Sequence, residues 1–478
     1  MNLQQNIKLS KGEYVFISIG LLLALATGAM AVYSNSLFTP AIPVLVLSAI
    51  VFLILLFKEP FIGLFTLIVY CFFMAIPDRE IGGLPYGMGI ELLLVLTWLS
   101  IWYNAKNYDF TVFKTDLVWL MLIWFGISVM EILNLSGASP RGWLQEIRST
   151  ALTPLLITPL GMLLINTKKR LNIFLYAILL FSFMATLNGL KQVYIGLSPG
   201  EQAFLDQGGN VTHIVNGQLR IFSFLSDASQ FGPSQAQMSV IAIVLAVGLK
   251  GWFKKIILLV LAVLFFYGML ISGTRGSFFA LAIGIMVAII MSKNTRVLIF
   301  GGGFSVLIFL ILKYTYIGNT NYNIYRLRSA IDPQDASLNM RLINQLKLRE
   351  YLATKPFGGG LGVIGHWGRE YNPGNYLSTI APDSYWVKVW AMYGIVGFTI
   401  FFCFWAYILG KCGAMIWNIK DKNLKTKLTA LFAGAAGIFV CSYGNEVMNA
   451  MPSLLLIQLS VGIVYVFCKK YKEDHISK

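Results

Sequence analysis

Apolar stretches of about 20 residues recur from one end of this 478-residue chain to the other, separated by polar segments. As an α-helix, such a stretch is long enough to cross a hydrocarbon layer about 30 Å thick. The pattern therefore predicts an all-α polytopic membrane protein with about 14 transmembrane helices. The predicted spans are 13–32, 40–57, 60–77, 89–103, 116–134, 150–166, 171–191, 235–249, 255–273, 276–292, 297–315, 384–410, 428–445 and 452–468.

The composition supports this class and changes the meaning of the net charge. Hydrophobic residues make up 57% of the chain and charged residues 12%, whereas soluble domains carry about 25% charged residues. A formal charge of +16 would suggest a nucleic-acid partner in a soluble protein. Here much of it is lysine at the ends of apolar spans, where lysine sets orientation and contacts the lipid bilayer. The cysteines and histidines lack metal-ligand spacing, so neither a metal nor another cofactor is predicted.

Lysine and arginine fall on opposite sides of the predicted helices. The lysine-rich side, which includes Lys58, Lys250 and Lys293, is the cytoplasm by the positive-inside rule. Both termini lie on that side, because the number of spans is even. The other side is rich in arginine, which binds phosphate or carboxylate through a planar two-pronged contact. We therefore predict an extracytoplasmic site for an anionic group.

Two long outer loops divide the chain into four regions. Residues 1–234 contain the N-terminal helices and a loop at 192–234, and residues 235–315 contain helices joined by a short SGTRGS turn. Residues 316–383 form the larger loop, and residues 384–478 contain the C-terminal helices. Long loops are usually functional. Apolar residues within 337–354 recur at helical spacing, which predicts a helix on the membrane surface.

Several outer residues are candidates for binding or catalysis. Arg275 lies in the SGTRGS turn between glycines that permit close approach of a ligand, although an arginine here also anchors a helix to lipid phosphate. Arg220 and Asp227 lie on a polar stretch before a span, where they line a cavity or cap a surface loop. The candidates also include Arg148.

The end of the larger loop contains a second group of candidates. Lys355 precedes a glycine-rich segment, 356–365, whose N–H groups have the chemistry to face phosphate oxygens. Asp383 stands before the next span and is followed by Tyr385. An aspartate in that position is often a helix N-cap, but a carboxylate near an acceptor hydroxyl also suits a general base.

The order of these pieces resembles the O-antigen ligase/polymerase family of bacterial membrane glycosyltransferases. The similar segments are SGTRGSFFALAIG, then NMRLINQLKLREYLATKPFGGGLG, then APDSYWVKVWAMYGIVGF, between Arg220 and Gly410. The resemblance implies a GT-C-like fold in the bacterial inner membrane, with the active site facing the periplasm. It also implies an undecaprenyl-diphosphate-linked glycan as donor and either a carrier-linked glycan or lipid A-core as acceptor.

The resemblance assigns roles to individual residues. It implies that Arg275, Arg220 and Arg341 bind the donor diphosphate without a metal, and that Asp383 acts as the base. The family often has histidine at the position of Asp383, so His366, in the same loop, is an alternative base. The missing histidine favours a polymerase over a ligase. A lipid-linked glycan flippase or other transporter is the alternative from another class, although polar residues concentrate at the outer face rather than at mid-membrane.

Overall fold

A computed structural model describes residues 41–81, 86–136, 138–215, 217–332 and 334–476. The predicted span at 13–32 lies outside the described residues. Within them the chain is almost entirely helical, and the sheet is one two-stranded antiparallel hairpin. Its strands are β1 (Ile214–Val215) and β2 (Gln218–Leu219).

The described α-helices are numbered here in chain order. They are α1 (Ala41–Lys58), α2 (Phe61–Phe73), α3 (Ala75–Glu80), α4 (Met88–Tyr103), α5 (Asp116–Met130), α6 (Pro140–Ile147), α7 (Thr153–Leu164), α8 (Lys168–Tyr194), α9 (Pro199–Phe204), α10 (Asn210–His213), α11 (Ala228–Gly248), α12 (Trp252–Ile271), α13 (Gly276–Met291), α14 (Thr295–Tyr314), α15 (Tyr322–Ser329), α16 (Ala336–Leu352), α17 (Gly365–Tyr371), α18 (Tyr385–Trp417), α19 (Lys422–Cys441) and α20 (Ser453–Ile476).

Nine helices among the described residues are long and apolar enough to cross a membrane. They are Asp116–Leu133, Pro140–Leu164, Lys168–Tyr194, Ala228–Gly248, Trp252–Ile271, Thr295–Tyr314, Tyr385–Trp417, Lys422–Cys441 and Ser453–Glu473. Four shorter apolar helices coincide with further predicted spans. The class of an all-α multi-pass membrane protein is therefore confirmed, whereas the number of 14 spans is not established by the described residues.

Helix ends differ most from prediction where polar residues are buried inside the protein. Helix α11 begins at Ala228 rather than at 235, because the Asp227 carboxylate accepts the N–H of Gln230 at 2.9 Å and caps the helix. The first turns contain polar side chains such as Gln235, which is fully buried and donates to the Ser182 carbonyl at 3.2 Å. A hydropathy pattern places such turns in a loop, so the predicted boundary was wrong.

The chain divides into two compact units. One contains the described residues up to Gly63 together with Leu96–Asn107, and the other contains Leu64–Val95 and Tyr108–Lys478. In the first unit, Ser100 donates to the carbonyl of Leu56 at 2.6 Å inside an otherwise apolar contact. The second unit contains every candidate site residue.

The predicted surface helix in the larger loop is present as α16. Its start is fixed by Asp335, whose carboxylate accepts the N–H of Leu338 at 2.9 Å. A shorter helix, α15, precedes it and is capped in the same way by Asn321, which accepts the N–H of Asn323 at 2.9 Å. Both caps satisfy N–H groups that a helix start leaves without a partner, so the loop holds its arginines on regular helices.

The glycine loop, residues 356–365, packs against a kink in α18. The kink is at Gly394, which has a φ of 65°. Four glycines of the loop also have positive φ, a conformation that L-residues with side chains rarely adopt. The N–H of Gly360 donates to the carbonyl of Met392 at 2.9 Å, so the loop satisfies a carbonyl near the kink. The loop therefore braces the helix that follows Asp383.

Replacing Gly358 with alanine is expected to destabilise the protein by roughly 2–5 kcal/mol. Its φ is 76°, and an added Cβ would lie 2.4 Å from the backbone nitrogen of Gly394, so strain and overlap combine. Gly374→Ala is the control. Gly374 lies in the larger loop but outside the glycine loop, and nothing lies within 4 Å of its added Cβ. Thermal unfolding in detergent measures both. Equal stability of the two variants would contradict the bracing role.

Candidate active site

Four arginines from separate segments converge on one region, and we call them the arginine cluster. Arg220 follows β2, Arg275 precedes α13, Arg326 lies in α15 and Arg341 lies in α16. Burial, together with the charges of Arg326 and Arg275, lowers the pKa of Arg220 to about 10. Burial also lowers the pKa values of Arg326 and Arg341, with Arg275 adding to both shifts. The four positive charges therefore act on one another at short range.

Arg275 is held by the start of the larger loop's long helix. Its Nη1 lies 2.5 Å from Oδ2 of Asp335, and both side chains are largely buried, at 12% and 16% exposure. The same nitrogen is 3.4 Å from the carbonyl of Ser329 at the end of α15. One guanidinium group thus joins the SGTRGS turn to α15 and α16, which fixes its plane.

Arg220 and Arg326 are both tied to the SGTRGS turn. Arg220 donates to Oγ1 of Thr274 and to the carbonyl of Thr212, each at 2.9 Å. Arg326 donates to the carbonyl of Gly273 at 3.1 Å. The Nε atoms of Arg220 and Arg326 are buried and have no hydrogen-bond partner among the described residues. Each group is therefore oriented by the protein and retains an unused donor.

Arg341 differs from the other three arginines. Within the described part of the chain it forms no hydrogen bond or ion pair, and its Nε is buried without a partner. Burial lowers the pKa of Arg341, and the nearby carboxylate of Asp383 opposes that shift. A half-buried cation with a buried, unpaired donor is costly unless an anion binds it. This arginine is therefore the member of the cluster best prepared for an anionic ligand.

Asp383 stands beside this arginine and does not cap the following helix. The cap of α18 is Ser384, whose Oγ accepts the N–H of Val387 at 3.3 Å, so the N-cap interpretation of Asp383 was wrong. The φ of Asp383 is 48°, a strained value that often marks a functional position. Burial raises the pKa of its carboxyl, the charge of Arg341 opposes this, and Glu446 raises the pKa further. The residue retains access to solvent.

The glycines of the SGTRGS turn make room for protein groups. A Cβ added at Gly273 would lie 3.3 Å from Cγ of Arg220, and one added at Gly276 would lie 2.3 Å from Nδ2 of Asn445. The sequence predicted that these glycines allow a ligand to approach; in the described residues they allow other parts of the chain to approach. At Gly273 the absence of a side chain lets Arg220 pack against the turn that carries Arg275.

The remaining candidates have other partners. Arg148 pairs with Glu91 at 2.6 Å, and the Asp227 carboxylate caps α11. Lys355 donates to the Tyr351 hydroxyl at 2.6 Å, with its ammonium group over the same ring.

Tyr385 and His366 also lie outside the cluster's contacts. Tyr385 is buried in the first turn of α18, and its N–H donates to the Ser442 carbonyl at 2.9 Å. His366 is on α17 with its side chain 70% exposed, and its Nε2 is 3.3 Å from the Glu370 carboxylate. The structure thus places the histidine at the surface.

The glycine loop does not present a free row of amides. The N–H groups of Gly359 and Gly360 donate to the carbonyls of Ala391 and Met392, each at 2.9 Å. Amides already bonded to backbone carbonyls have no capacity left for phosphate oxygens. The interpretation of residues 356–365 as a phosphate-binding loop was therefore wrong at these two amides, and the loop's role is to shape α18.

Sequence reasoning missed several residues of this region. Arg326 belongs to the arginine cluster and Asp335 pairs with Arg275, but neither lies in a motif. Sequence reasoning also missed a triad formed by Lys388, Glu146 and Glu446. Lys388 Nζ is 3.0 Å from Glu146 Oε2 and 3.1 Å from Glu446 Oε2. A lysine one turn inside an apolar span requires a partner, and that signal was available at Lys388.

The arrangement suits an anionic ligand. The arginine cluster carries four positive charges, and the carboxylates of Asp227, Asp335 and Asp383 offset three of them. Such charges act strongly where water is largely excluded. Among the described residues, no group of three His, Cys, Asp or Glu side chains is placed to hold a metal ion.

Comparison with known proteins gives a match over the part of the chain that contains most of the arginine cluster. Residues 260–402 match a family model described as O-antigen ligase. This match confirms the resemblance inferred from the motifs, and the matched segment contains Arg275, Arg326, Arg341 and Asp383. Together with the long apolar helices, it supports a glycan-ligating function in a membrane. No curated protein sequence matches the chain significantly.

Proposed function

We propose that this protein, which resembles the O-antigen ligase family across the segment that carries most of its arginine cluster, is a membrane glycosyltransferase. It transfers a glycan from a polyprenyl diphosphate, of which undecaprenyl diphosphate is the usual bacterial form, to a sugar hydroxyl. The acceptor is another carrier-linked glycan or lipid A-core. The reaction takes place at the periplasmic face of the bacterial inner membrane.

One observation carries the proposal: a half-buried cluster of four arginines outnumbers the carboxylates that act on it, Asp227, Asp335 and Asp383, and so keeps a net positive charge. A diphosphate esterified to lipid on one side and sugar on the other carries two negative charges. It gains a third when the bond to the sugar breaks. The cluster therefore interacts more strongly with the leaving group than with the bound donor, and such differential binding lowers the barrier.

The chemical step follows from these positions. The acceptor hydroxyl oxygen forms a bond to the anomeric carbon of the donor glycan, and the bond from that carbon to the diphosphate oxygen breaks. The electron pair leaves with the diphosphate, where the arginine cluster receives the added charge. Arg341 has free donors for the phosphate oxygens, and Arg275 is already oriented by Asp335. In this scheme arginine supplies the positive charge that the leaving diphosphate requires.

Asp383 is the proposed base for the acceptor hydroxyl. Its solvent access leaves it open to an acceptor, and its raised pKa makes it a better proton acceptor than an ordinary aspartate. The charge of Arg341 beside it opposes the rise in this pKa and so favours the ionised carboxylate. His366 is the alternative base, but its exposed position and its pairing with Glu370 favour a surface role.

Ion pairs between distant segments support the proposed topology. Lys168 pairs with Asp421, and Lys411 pairs with Asp116, and all four lie at helix ends assigned to the cytoplasm. Arg275 pairs with Asp335 at an end assigned to the outside. Each of these pairs joins residues that the positive-inside rule places on one side, as a consistent orientation requires.

A cysteine at position 321 is expected to react with a membrane-impermeant maleimide in intact cells whose outer membrane is permeable. Asn321 caps α15 and lies in the outer loop. A cysteine at Ser477, which lies outside the described residues, should react only after the inner membrane is opened. Labelling of Asn321→Cys from the cytoplasmic side alone would overturn the topology.

Reconstitution tests the function itself. Purified protein in proteoliposomes receives lipid-linked repeat units, with and without lipid A-core, and the product lengths are measured. Long carrier-linked chains identify a polymerase, which the absence of the family histidine favours, and modified lipid A-core identifies a ligase. Movement of unchanged lipid-linked glycan across the bilayer, with no new glycosidic bond, would identify a flippase and refute the proposal.

A further inference from the structure

A cavity adjoins the buried Lys388 triad, because Lys388 forms part of its lining. Its volume is about 500 Å³, within the range of small-molecule sites. It lies between the first turn of α4, the α6–α7 junction, α17, the start of α18 and the segment before α20. Its polar and aromatic lining includes Glu91, Arg148, Ser149, Trp367, Lys388 and Asn449.

Two acceptor atoms in this lining lack partners. Oε2 of Glu91 and Oδ1 of Asn449 are buried and form no hydrogen bond with any described residue. Their companion atoms are engaged: Glu91 Oε1 accepts from Arg148 at 2.7 Å, and Asn449 Nδ2 donates to Glu446 at 3.4 Å. A buried oxygen without a donor is costly, so both atoms are prepared for hydroxyl groups of a ligand.

The charge balance of the cavity excludes a second phosphate site. Arg148 is neutralised by Glu91 at 2.6 Å. Lys388 is neutralised twice, by Glu146 at 3.0 Å and by Glu446 at 3.1 Å, which leaves a net negative charge around the cavity. An anion would be repelled, whereas a neutral ligand rich in hydroxyls would find carboxylate and amide oxygens.

An aromatic surface completes the site. Trp367 is half-buried in the lining, and its ring is stacked on Tyr371 with 5.9 Å between centroids. An indole face packs well against the C–H face of a sugar ring. The cavity also adjoins the proposed base, because Glu446, which bonds Lys388 at its edge, interacts electrostatically with Asp383.

We propose that this cavity binds the acceptor glycan, with a sugar ring against Trp367 and its hydroxyls on Glu91 and Asn449. The proposal rests on the proposed function, because it names the position of the second substrate of the same reaction. In this arrangement the arginine cluster holds the donor diphosphate and this cavity holds the acceptor sugar. Lys388 and Glu446 are positioning residues between the two.

Kinetics of cavity variants test this assignment. Trp367→Ala and Asn449→Ala, each in monodisperse protein, are expected to raise the KM for the acceptor about tenfold, with the KM for the donor unchanged. Tyr376→Ala is the matched control, since Tyr376 is an exposed aromatic of the same loop that packs on Tyr351. Unchanged acceptor KM in both cavity variants would overturn the proposal while the transferase activity itself stands.

A binding readout separates this proposal from the proposed function. Ser149→Cys places a thiol in the cavity lining, and a maleimide reports its accessibility. The probe is the free oligosaccharide released by mild acid from the lipid-linked repeat unit. We expect it to protect the thiol in the otherwise unaltered protein and to protect less when Trp367→Ala is added. Protection without glycan transfer would sink the proposed function alone, and no protection would sink the cavity assignment.

Discussion

Arg341→Lys is expected to reduce glycan transfer by about 100-fold to 1,000-fold, the effect typical of removing one preorganised donor from a developing anion. The substitution keeps the charge but removes the planar fork that grips two phosphate oxygens. Arg341 forms no hydrogen bond or ion pair with the described residues, and its Nε is buried and unpaired. Its loss therefore removes ligand contacts with little direct cost to the fold.

The control for this variant is on the same helix. Arg349 is exposed on α16, and Arg349→Lys should leave transfer unchanged. The measurement is kcat/KM for the lipid-linked donor with both proteins at equal amounts in the membrane. Arg275→Lys should also lose most activity, and because Arg275 pairs with Asp335, its thermal stability must be compared in parallel. Normal transfer by Arg341→Lys would remove the arginine from the site.

Asp383→Asn is expected to abolish most turnover while leaving folding intact. Asparagine keeps the shape and loses the proton acceptor, and general bases typically contribute about 10²–10⁴-fold. The helix cap does not confound the test, because Ser384 caps α18. His366→Ala should retain full activity, since the imidazole is exposed and pairs with Glu370. Loss of turnover in His366→Ala alone would transfer the role of base to the histidine.

The pH profile gives an independent measurement of the same carboxylate. The base must be ionised, so transfer should fall on the acid side as pH drops through the pKa of Asp383. That pKa lies above its ordinary value because of burial and Glu446, and Arg341 opposes the rise. In Arg341→Gln the opposing charge is gone, and the acid limb of the residual activity should move to higher pH. An unshifted limb would separate Asp383 from the titrating group.

The helices were predictable because hydropathy and length determine them directly. Span 171–191 lies within α8, and span 297–315 ends one residue beyond α14, because both segments are mostly apolar. Prediction was wrong at the start of α11, since Gln235 is buried and hydrogen-bonded there. Polar residues that pair inside the protein have the same hydropathy as residues in a loop, and only tertiary contacts distinguish them.

The site was predictable in part for the same reason. Arginines on the side opposite the lysines indicated an anionic ligand, and the resemblance of the motifs then assigned Arg220, Arg275 and Arg341 to it. The sequence gives no indication that Arg326 joins them, because their proximity depends on how α15 packs. The ion-pair partners of Lys388 could not be predicted either, because Glu146 and Glu446 are distant from it in the sequence. The charge of a residue and the side of the membrane on which it lies can be predicted from the sequence around it. The convergence of arginines from separate segments depends on the fold.

The central claim, that the arginine cluster binds a lipid diphosphate, is tested most directly by a binding measurement. Purified protein in nanodiscs is titrated with undecaprenyl diphosphate and, separately, with undecaprenyl monophosphate. We expect tighter binding of the diphosphate, loss of that preference in Arg341→Gln, and its retention in Arg349→Gln. Equal affinity for the two lipids in the unaltered protein, or a preference untouched by Arg341→Gln, would contradict the account.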